Sequence, residues 1–240
     1  MSVLGVLVDS VTRQEALSRM EALIESGGPH QVATVNPEFV MGARRDPAFR
    51  KVLDEAALAL PDGIGVVWAS RWLGRDLPER VAGVDLVWEL AGLAARRGYG
   101  IFCLGAVPGV AEETARRLSE WHPGLRIAGC HAGSPSLEEE GEIVARVRAS
   151  GPQVLFVAYG APRQDVWIHR NLEALGVPLA MGVGGAFDFI AGRTRRAPGW
   201  MRWLGLEWLH RLAMEPWRWR RMLALPRFAA LAFAARWRAE

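Results

Sequence analysis

The sequence predicts an α/β fold, a mostly parallel Rossmann-like sheet with helices on both faces, followed by a C-terminal helical appendage rich in arginine and tryptophan. Three observations carry this prediction. Short, nearly all-apolar runs alternate with stretches of helical periodicity, as strands covered on both faces by crossover helices require. Gly, Pro or Asn-Pro punctuates the ends of these runs. The charge is also split. Residues 193–240 hold eleven Arg against three Glu and six of the eleven Trp, a formal charge of +8, whereas residues 1–192 carry 18 basic and 23 acidic side chains, a formal charge of −5.

Each element has its own signal. Thr12 with Glu15 three residues on is a capping box, and it opens a helix that runs to about residue 25, where Gly27, Gly28 and Pro29 stop it. A strand follows at 31–35 and ends at Asn36-Pro37. A helix at 47–56 leads to an apolar strand at 58–60 and the turn Pro61-Asp62-Gly63. Helices at 84–97, 110–121, 137–149 and 163–175 then alternate with strands at 100–104, 125–130, 154–158 and 179–183. Residues 99–194 read as a regular Rossmann-like run. Residues 1–98 read as less regular, a lobe or loops over the sheet edge, because Gly65, Gly74 and Gly83 interrupt the periodicity. Together 1–194 make the α/β domain and 195–240 the appendage.

At 240 residues and 50% hydrophobic, the chain can bury a full core. Cys103 and Cys130 have neither disulfide-framework nor metal-ligand spacing and read as buried thiols, so the cytoplasm is the default compartment. The first apolar run has no basic segment before it and meets Asp9, which fits neither a signal peptide nor a membrane span; the apolar piece at 228–235 is too short to cross a bilayer.

In open parallel sheets, ligands bind beyond the carboxyl ends of the strands. Five segments qualify: TVNPE at 34–38, PDG at 61–63, LGA at 104–106, AYGAPRQ at 158–164 and GVGGAFD at 182–188. Gly105, Gly160, Gly184 and Gly185 allow close backbone approach to a ligand, and the helix starts that follow offer free N–H groups to phosphate. Five such turns favour a polar, phosphorylated ligand. Neither GxGxxG nor GxxxxGK[ST] is present, so NAD and ATP are not indicated. Asp62, held between Pro61 and Gly63, is the leading general-base candidate for a sugar hydroxyl, with an Asx turn as the plain alternative. Asp188 caps or binds. The five His are scattered and no DxD pair sits at a strand end, so no metal cofactor is expected. Arginine must then offset the charge of a departing diphosphate.

In the appendage, indoles and guanidiniums interleave, as in Trp217, Trp219, Arg220 and Arg221. Indoles favour a half-wet interface and arginines favour phosphate-rich surfaces, which predicts contact with an anionic membrane surface ahead of packing on the chain's own domain or on a second copy. No finger, RNA-binding strand signature or second basic patch supports nucleic acid as a partner.

The segments TVNPEF (34–39), LPDGIGVVWASR (60–71), RVAGVDL (80–86), GAPRQDVWI (160–168) and GVGGAFDFIAGRTRRAPGWMRWLGLEWLHRLAMEPWRWRR (182–221) strongly resemble the WecG/TagA/CpsF family of bacterial glycosyltransferases. The resemblance runs from about residue 3 to 225. It implies inverting, metal-independent transfer of an N-acetylhexosamine, above all N-acetylmannosamine, from UDP to a polyprenyl-diphosphate-linked GlcNAc-type acceptor, in cell-surface polysaccharide or teichoic-acid-like synthesis. The enzyme would sit peripherally on the cytoplasmic face of the cell membrane. The resemblance also implies that Asp62 is the general base, that Thr34 and Asn36 lie near substrate, that Gln164 contacts the donor, that Arg211, Arg218 and Arg221 lie near the diphosphates, and that homo-oligomers can form. Tyr159 departs from the smaller residue of many relatives.

Transfer of a uronic acid or another hexose by the same mechanism is the neighbouring reading. A non-enzymatic membrane scaffold would leave Asp62 and Gln164 without a role. A nucleotide-sugar dehydrogenase or epimerase would need the missing glycine fingerprint, and a glycoside hydrolase would need paired carboxylates.

Overall fold

The computed structural model describes residues 1–237, without the side chains of Trp203 and Arg218. The chain opens on a small antiparallel hairpin, β1 (Ser2–Val3) and β2 (Val6–Leu7). Its two-residue turn puts both Leu4 and Gly5 at positive φ, 49° and 92°, the geometry that matches hairpin twist. Helix α1 (Arg13–Ser26) starts at the expected capping box, with both Thr12–Glu15 hydrogen bonds formed, and stops at Gly27 in the left-handed conformation.

Then follow β3 (His30–Val35), α2 (Pro37–Ala43), α3 (Pro47–Asp54), β4 (Leu58–Pro61), α4 (Ile64–Trp72) and α5 (Gly83–Arg97). The second half continues with β5 (Gly100–Gly105), α6 (Val110–Trp121), β6 (Arg126–His131), α7 (Leu137–Ser150), β7 (Val154–Ala158), α8 (Arg163–Leu175), β8 (Leu179–Gly182) and α9 (Ala186–Ile190). The appendage comprises α10 (Gly199–Trp203), α11 (Glu207–Met214), a 3₁₀ turn at Pro216–Arg218, α12 (Trp219–Met222) and α13 (Ala224–Trp237).

Six strands form one all-parallel sheet in the order β4-β3-β8-β7-β5-β6. On one face Met20, Leu86, Leu90, Leu118 and Phe187 from α1, α5, α6 and α9 form a core; on the other, Ile143, Trp167 and Ile168 from α7 and α8 do the same. Five of the six strands are buried on both sides, which explains their lack of alternation; the edge strand β6 is partly exposed.

The first half departs from the reading as a lobe or edge loops. β3 lies inside the sheet, between β4 and β8, so residues 30–61 supply two of its six strands. Two short helices, α2 and α4, occupy stretches that show no clear period in the sequence. Two of the apparent interruptions are helical residues chosen for space. A Cβ on Gly65, inside α4, would come 3.0 Å from Pro37 Cγ, and one on Gly83, which starts α5, would come 3.2 Å from Thr34 Cγ2. Only Gly74, at φ 70°, marks a true end, just after α4.

The appendage is not a loose tail. Phe228 and Ala232 of α13 are buried in a third apolar cluster with Phe39, Val40, Phe49, Val66 and Val67 of α2, α3 and α4. On the rim of this contact Trp72 stacks on Phe233, ring centroids 5.3 Å apart, and Arg236 lies 4.8 Å over Trp72 while donating to its carbonyl. Among the described residues, no helix is long and apolar enough to cross a membrane.

Candidate active site

All six strands point the same way, so their carboxyl ends share one edge. The connection after β3 turns outward to α2 and β4, while that after β8 enters α9, which packs on α5 and α6. The two connections part at the β3/β8 seam, where a crevice opens. There the Thr34 hydroxyl donates to the Gly182 carbonyl at 3.4 Å. A cavity of about 780 Å³ lies over this seam, roofed by the appendage.

Its floor is polar. Thr34 is the last but one residue of β3, and Asn36 caps α2 by accepting from the Phe39 N–H at 3.1 Å. The Pro-Asp-Gly turn packs directly on this cap: a Cβ on Gly63 would sit 2.6 Å from Pro37 Cδ. Asp62 is fixed from several sides. Its N–H donates to the Val35 carbonyl at 3.0 Å, its carbonyl accepts from Arg80 Nε at 2.6 Å, and its Oδ1 accepts from the Gly83 N–H at 3.2 Å. Arg80 Nη2 stands 3.7 Å from the same Oδ1. Burial pushes the Asp62 carboxyl above its ordinary value; Arg80 and the Gly83 N–H oppose the rise, while Glu207 and Asp85 add to it. A carboxylate so raised is a better proton acceptor than an exposed one.

The roof brings cations. Arg211 of α11 reaches the end of β8, where its guanidinium lies against Gly185 and 5.2 Å from the Phe189 ring centroid, with Glu215 at 3.6 Å. Arg221 of α12 pairs with Glu38 in the first turn of α2 at 2.6 Å. Both arginines line the cavity. The third expected arginine, Arg218, falls outside the described side chains. The remaining wall is apolar, formed by Ile64, Trp68 and Trp72 of α4 with Leu225, Phe228 and Phe233 of α13. Among the described residues, no three His, Cys, Asp or Glu side chains converge as a metal set.

The expected donor residues divide. Gly185 lines the cavity. Gln164 is buried, and its Oε1 accepts from the N–H groups of both Gly160 and Gly184, at 3.1 and 3.0 Å. It ties the loop after β7 to the loop after β8, and neither it nor those two glycines is in the cavity wall. Gly105, at φ 99°, is needed for backbone approach to Ala158, whose carbonyl carbon a Cβ would meet at 2.8 Å. Asp188 sits in α9 between the cavity-lining Ala186 and Phe189 without lining the cavity itself, and its carbonyl accepts from the N–H groups of Arg193 and Thr194. Tyr159 is buried edge-on to Trp167, which is where its extra bulk goes.

The sequence that builds this cavity matches a known family over its whole length. The model of the glycosyl transferase WecG/TagA/CpsF family matches residues 1–240. The chain belongs to this family. Among curated proteins it is 37% identical over 198 residues to the N-acetylglucosaminyldiphosphoundecaprenol N-acetyl-beta-D-mannosaminyltransferase of Bacillus subtilis (strain 168), covering 82% of this chain and 77% of that one. The Bacillus spizizenii protein of the same name is 38% identical over 197 residues, covering 82% and 76%. That of Staphylococcus aureus (strain MW2) is 31% identical over 228 residues, covering 94% and 89%. Membership in the WecG/TagA/CpsF family makes the chain a glycosyltransferase.

Four charged residues at the site were not singled out from the sequence: Arg80, Asp85, Arg196 and Glu207. Arg80 and Asp85 stand in the block RVAGVDL, so that block carried a signal. Arg196 and Glu207 were masked by the many arginines and apolar residues of the appendage.

Proposed function

We propose that this glycosyltransferase moves N-acetylmannosamine from UDP to the sugar hydroxyl of a GlcNAc-diphosphopolyprenol, with inversion and without a divalent metal. The observation that carries this reading is one cavity that combines a fixed, half-buried carboxylate, two roofing arginines and an apolar wall. Asp62 takes the proton of the acceptor hydroxyl as that oxygen attacks C1 of the donor sugar from the face opposite UDP. The C1–O bond to UDP breaks in the same displacement, so no sugar is held covalently by the enzyme. Arg211 and Arg221 offset the charge on the diphosphates, the work a metal does elsewhere. Thr34 and Asn36 hold the floor, and Gln164 fixes the two glycine loops beside it. The apolar wall between α4 and α13 suits the first prenyl units of the acceptor.

The same reading puts the protein on the cytoplasmic face of the membrane. Trp68, Trp200, Trp217, Trp219 and Trp237 are all more than half exposed, an amount of indole that an aqueous surface does not favour. The appendage arginines beside them suit anionic headgroups.

The test is UDP release from UDP-N-acetylmannosamine in the presence of a short-chain lipid-diphosphate-linked GlcNAc, with excess EDTA. Release that needs both substrates and is unchanged by EDTA is expected. Release restored only by Mg²⁺ or Mn²⁺ rules out the metal-free part, and faster turnover of a UDP-linked uronic acid reassigns the donor.

A further inference from the structure

The appendage contributes a carboxylate as well as cations to the Asp62 site. Glu207, at the start of α11, is largely buried, with 16% of its side chain exposed. Its two oxygens are divided: Oε2 stands 2.9 Å from Arg80 Nη2 and Oε1 3.3 Å from Arg196 Nε. Arg196 in turn grips Asp85 of α5 through Nη1 and Nη2, at 2.5 and 3.0 Å. Among the described side chains in direct contact, two arginines, Arg80 and Arg196, thus serve three carboxylates, Asp62, Asp85 and Glu207, in a half-buried cluster. Asp85 has a bidentate partner and Glu207 has a close contact to each arginine. Asp62 is held least, because Arg80 Nη2 is 3.7 Å from it and 2.9 Å from Glu207.

We propose that Glu207 is a positioning residue of the transfer reaction: reaching over from the appendage, it draws the Arg80 guanidinium away from Asp62 and leaves that carboxylate free to accept a proton. The proposal rests on Asp62 being the base in the function proposed above. Without Glu207, Arg80 would close on Asp62, pairing it and weakening it as a base. Seating the appendage therefore does more than roof the cavity; it sets the strength of the base beneath. The direction of the Asp62 shift is consistent, since Glu207 and Asp85 both push its carboxyl up and Arg80 pulls it down. Among the described side chains, the charged groups around Asp62 are Arg80 from the loop before α5, Asp85 from α5, Glu207 from α11 with Arg196 behind it, and, elsewhere on the cavity wall, Arg211 and the Glu38–Arg221 pair.

The experiment is the single-turnover transfer rate against pH, with saturating UDP-sugar and a soluble lipid-diphosphate acceptor analogue. Transfer needs ionised Asp62, so the rate falls as pH drops through the Asp62 pKa and a lower pKa moves this acid limb down. Glu207→Gln is expected to move the limb down by about one pH unit and to lower the plateau. Arg196→Gln, which loosens the same seam but leaves Asp85 and Glu207 short of a cation, is expected to move it up. Opposite shifts are the mark of charge tuning, because a clasp that merely holds the appendage gives both variants the same effect. Limbs that stay in place, or move in the same direction, overturn the proposal. If Glu207→Gln is inactive, an Arg196→Gln limb that does not rise overturns it alone. Asp62→Asn distinguishes the underlying reading: if it keeps an acid limb and near wild-type rate, Asp62 is not the base and both readings fall. If it is dead while the other two variants leave the limb unmoved, only the role of Glu207 falls.

Discussion

A Cβ on Gly185 would lie 2.1 Å from Nη2 of Arg211. Gly185 has φ −78°, so glycine is not required there by backbone conformation. It makes room for the Arg211 guanidinium, which rests against the bare backbone after β8 and would have to shift for any larger residue. On the appendage side, Gly205 at φ 73° lies so near α4 that a Cβ would meet Ile64 Cγ2 at 2.7 Å. Two glycines, one on each part, thus let the roof close on the strand ends.

Gly185→Ala is expected to push Arg211 out of the cavity while the sheet stays intact. Loss of one charge-stabilising group at a leaving diphosphate costs about 10²–10³ in rate. Arg211→Ala is expected to fall in that range, and Gly185→Ala to reproduce much of the loss. The decisive measurement is the double variant: if both changes act through the same guanidinium, it is hardly slower than Arg211→Ala alone.

Asp62→Asn keeps size and shape and removes the proton acceptor. Turnover is expected to drop by roughly 10²–10⁴. UDP binding, followed by calorimetry, is expected to change little, because the lost group acts on the acceptor hydroxyl. Turnover within threefold of the parent would exclude the role.

The second half of the fold was legible because its strands, such as Val154–Ala158, are buried on both faces and its helices have long apolar stripes. In the first half the elements at 12–25, 31–35, 47–56, 58–60 and 84–97 were legible too, but α2 and α4 were not, and glycines 65 and 83 imitate breaks while serving close packing, which hid the place of these strands inside the sheet. The Asp62 turn was legible from local chemistry alone, since Pro and Gly flank it at a strand end. Gln164 was found by resemblance, yet the property that fixes its place, one oxygen bonded by two distant loops, is visible only in three dimensions. Glu207 is the reverse case: one acid in a basic segment, whose importance depends on Arg80, 127 positions earlier in the chain.

Membrane contact and chemistry are expected to separate by side chain. Removing residues 196–240 cannot separate them, because it would also strip Phe228 and Ala232 from the core. Point variants can. Trp217→Ala with Trp219→Ala, at positions 72% and 53% exposed, is expected to weaken binding to anionic vesicles several-fold and leave transfer to a soluble acceptor within twofold. Arg211→Ala is expected to do the opposite, since one cation among many contributes on the order of 1 kcal/mol to surface attraction. Equal loss of both properties in both variants would mean that the surface and the site are one unit.

Asp165, beside Gln164 at the start of α8, makes a prediction about stability rather than rate. Its side chain is fully buried, and burial pushes its carboxyl up to about 7, against the opposing pull of its own backbone N–H and of Gln164. In the unfolded chain the group ionises near 3.8, its ordinary value. Between these two values the unfolded state has given up a proton that the folded state keeps. Stability must therefore fall as pH rises from about 4 to about 7 and level off above that. The gap corresponds to roughly 4 kcal/mol at most, at about 1.4 kcal/mol per pH unit. Asp165→Asn is neutral at every pH and has no such slope. Urea unfolding at pH 5 and pH 8 is expected to show the parent losing more stability than the variant between the two, with the variant the more stable at pH 8. Parallel changes in both proteins would show that Asp165 is ionised in the fold, and a compensating partner for it would then have to exist around the two glycine loops that Gln164 ties together.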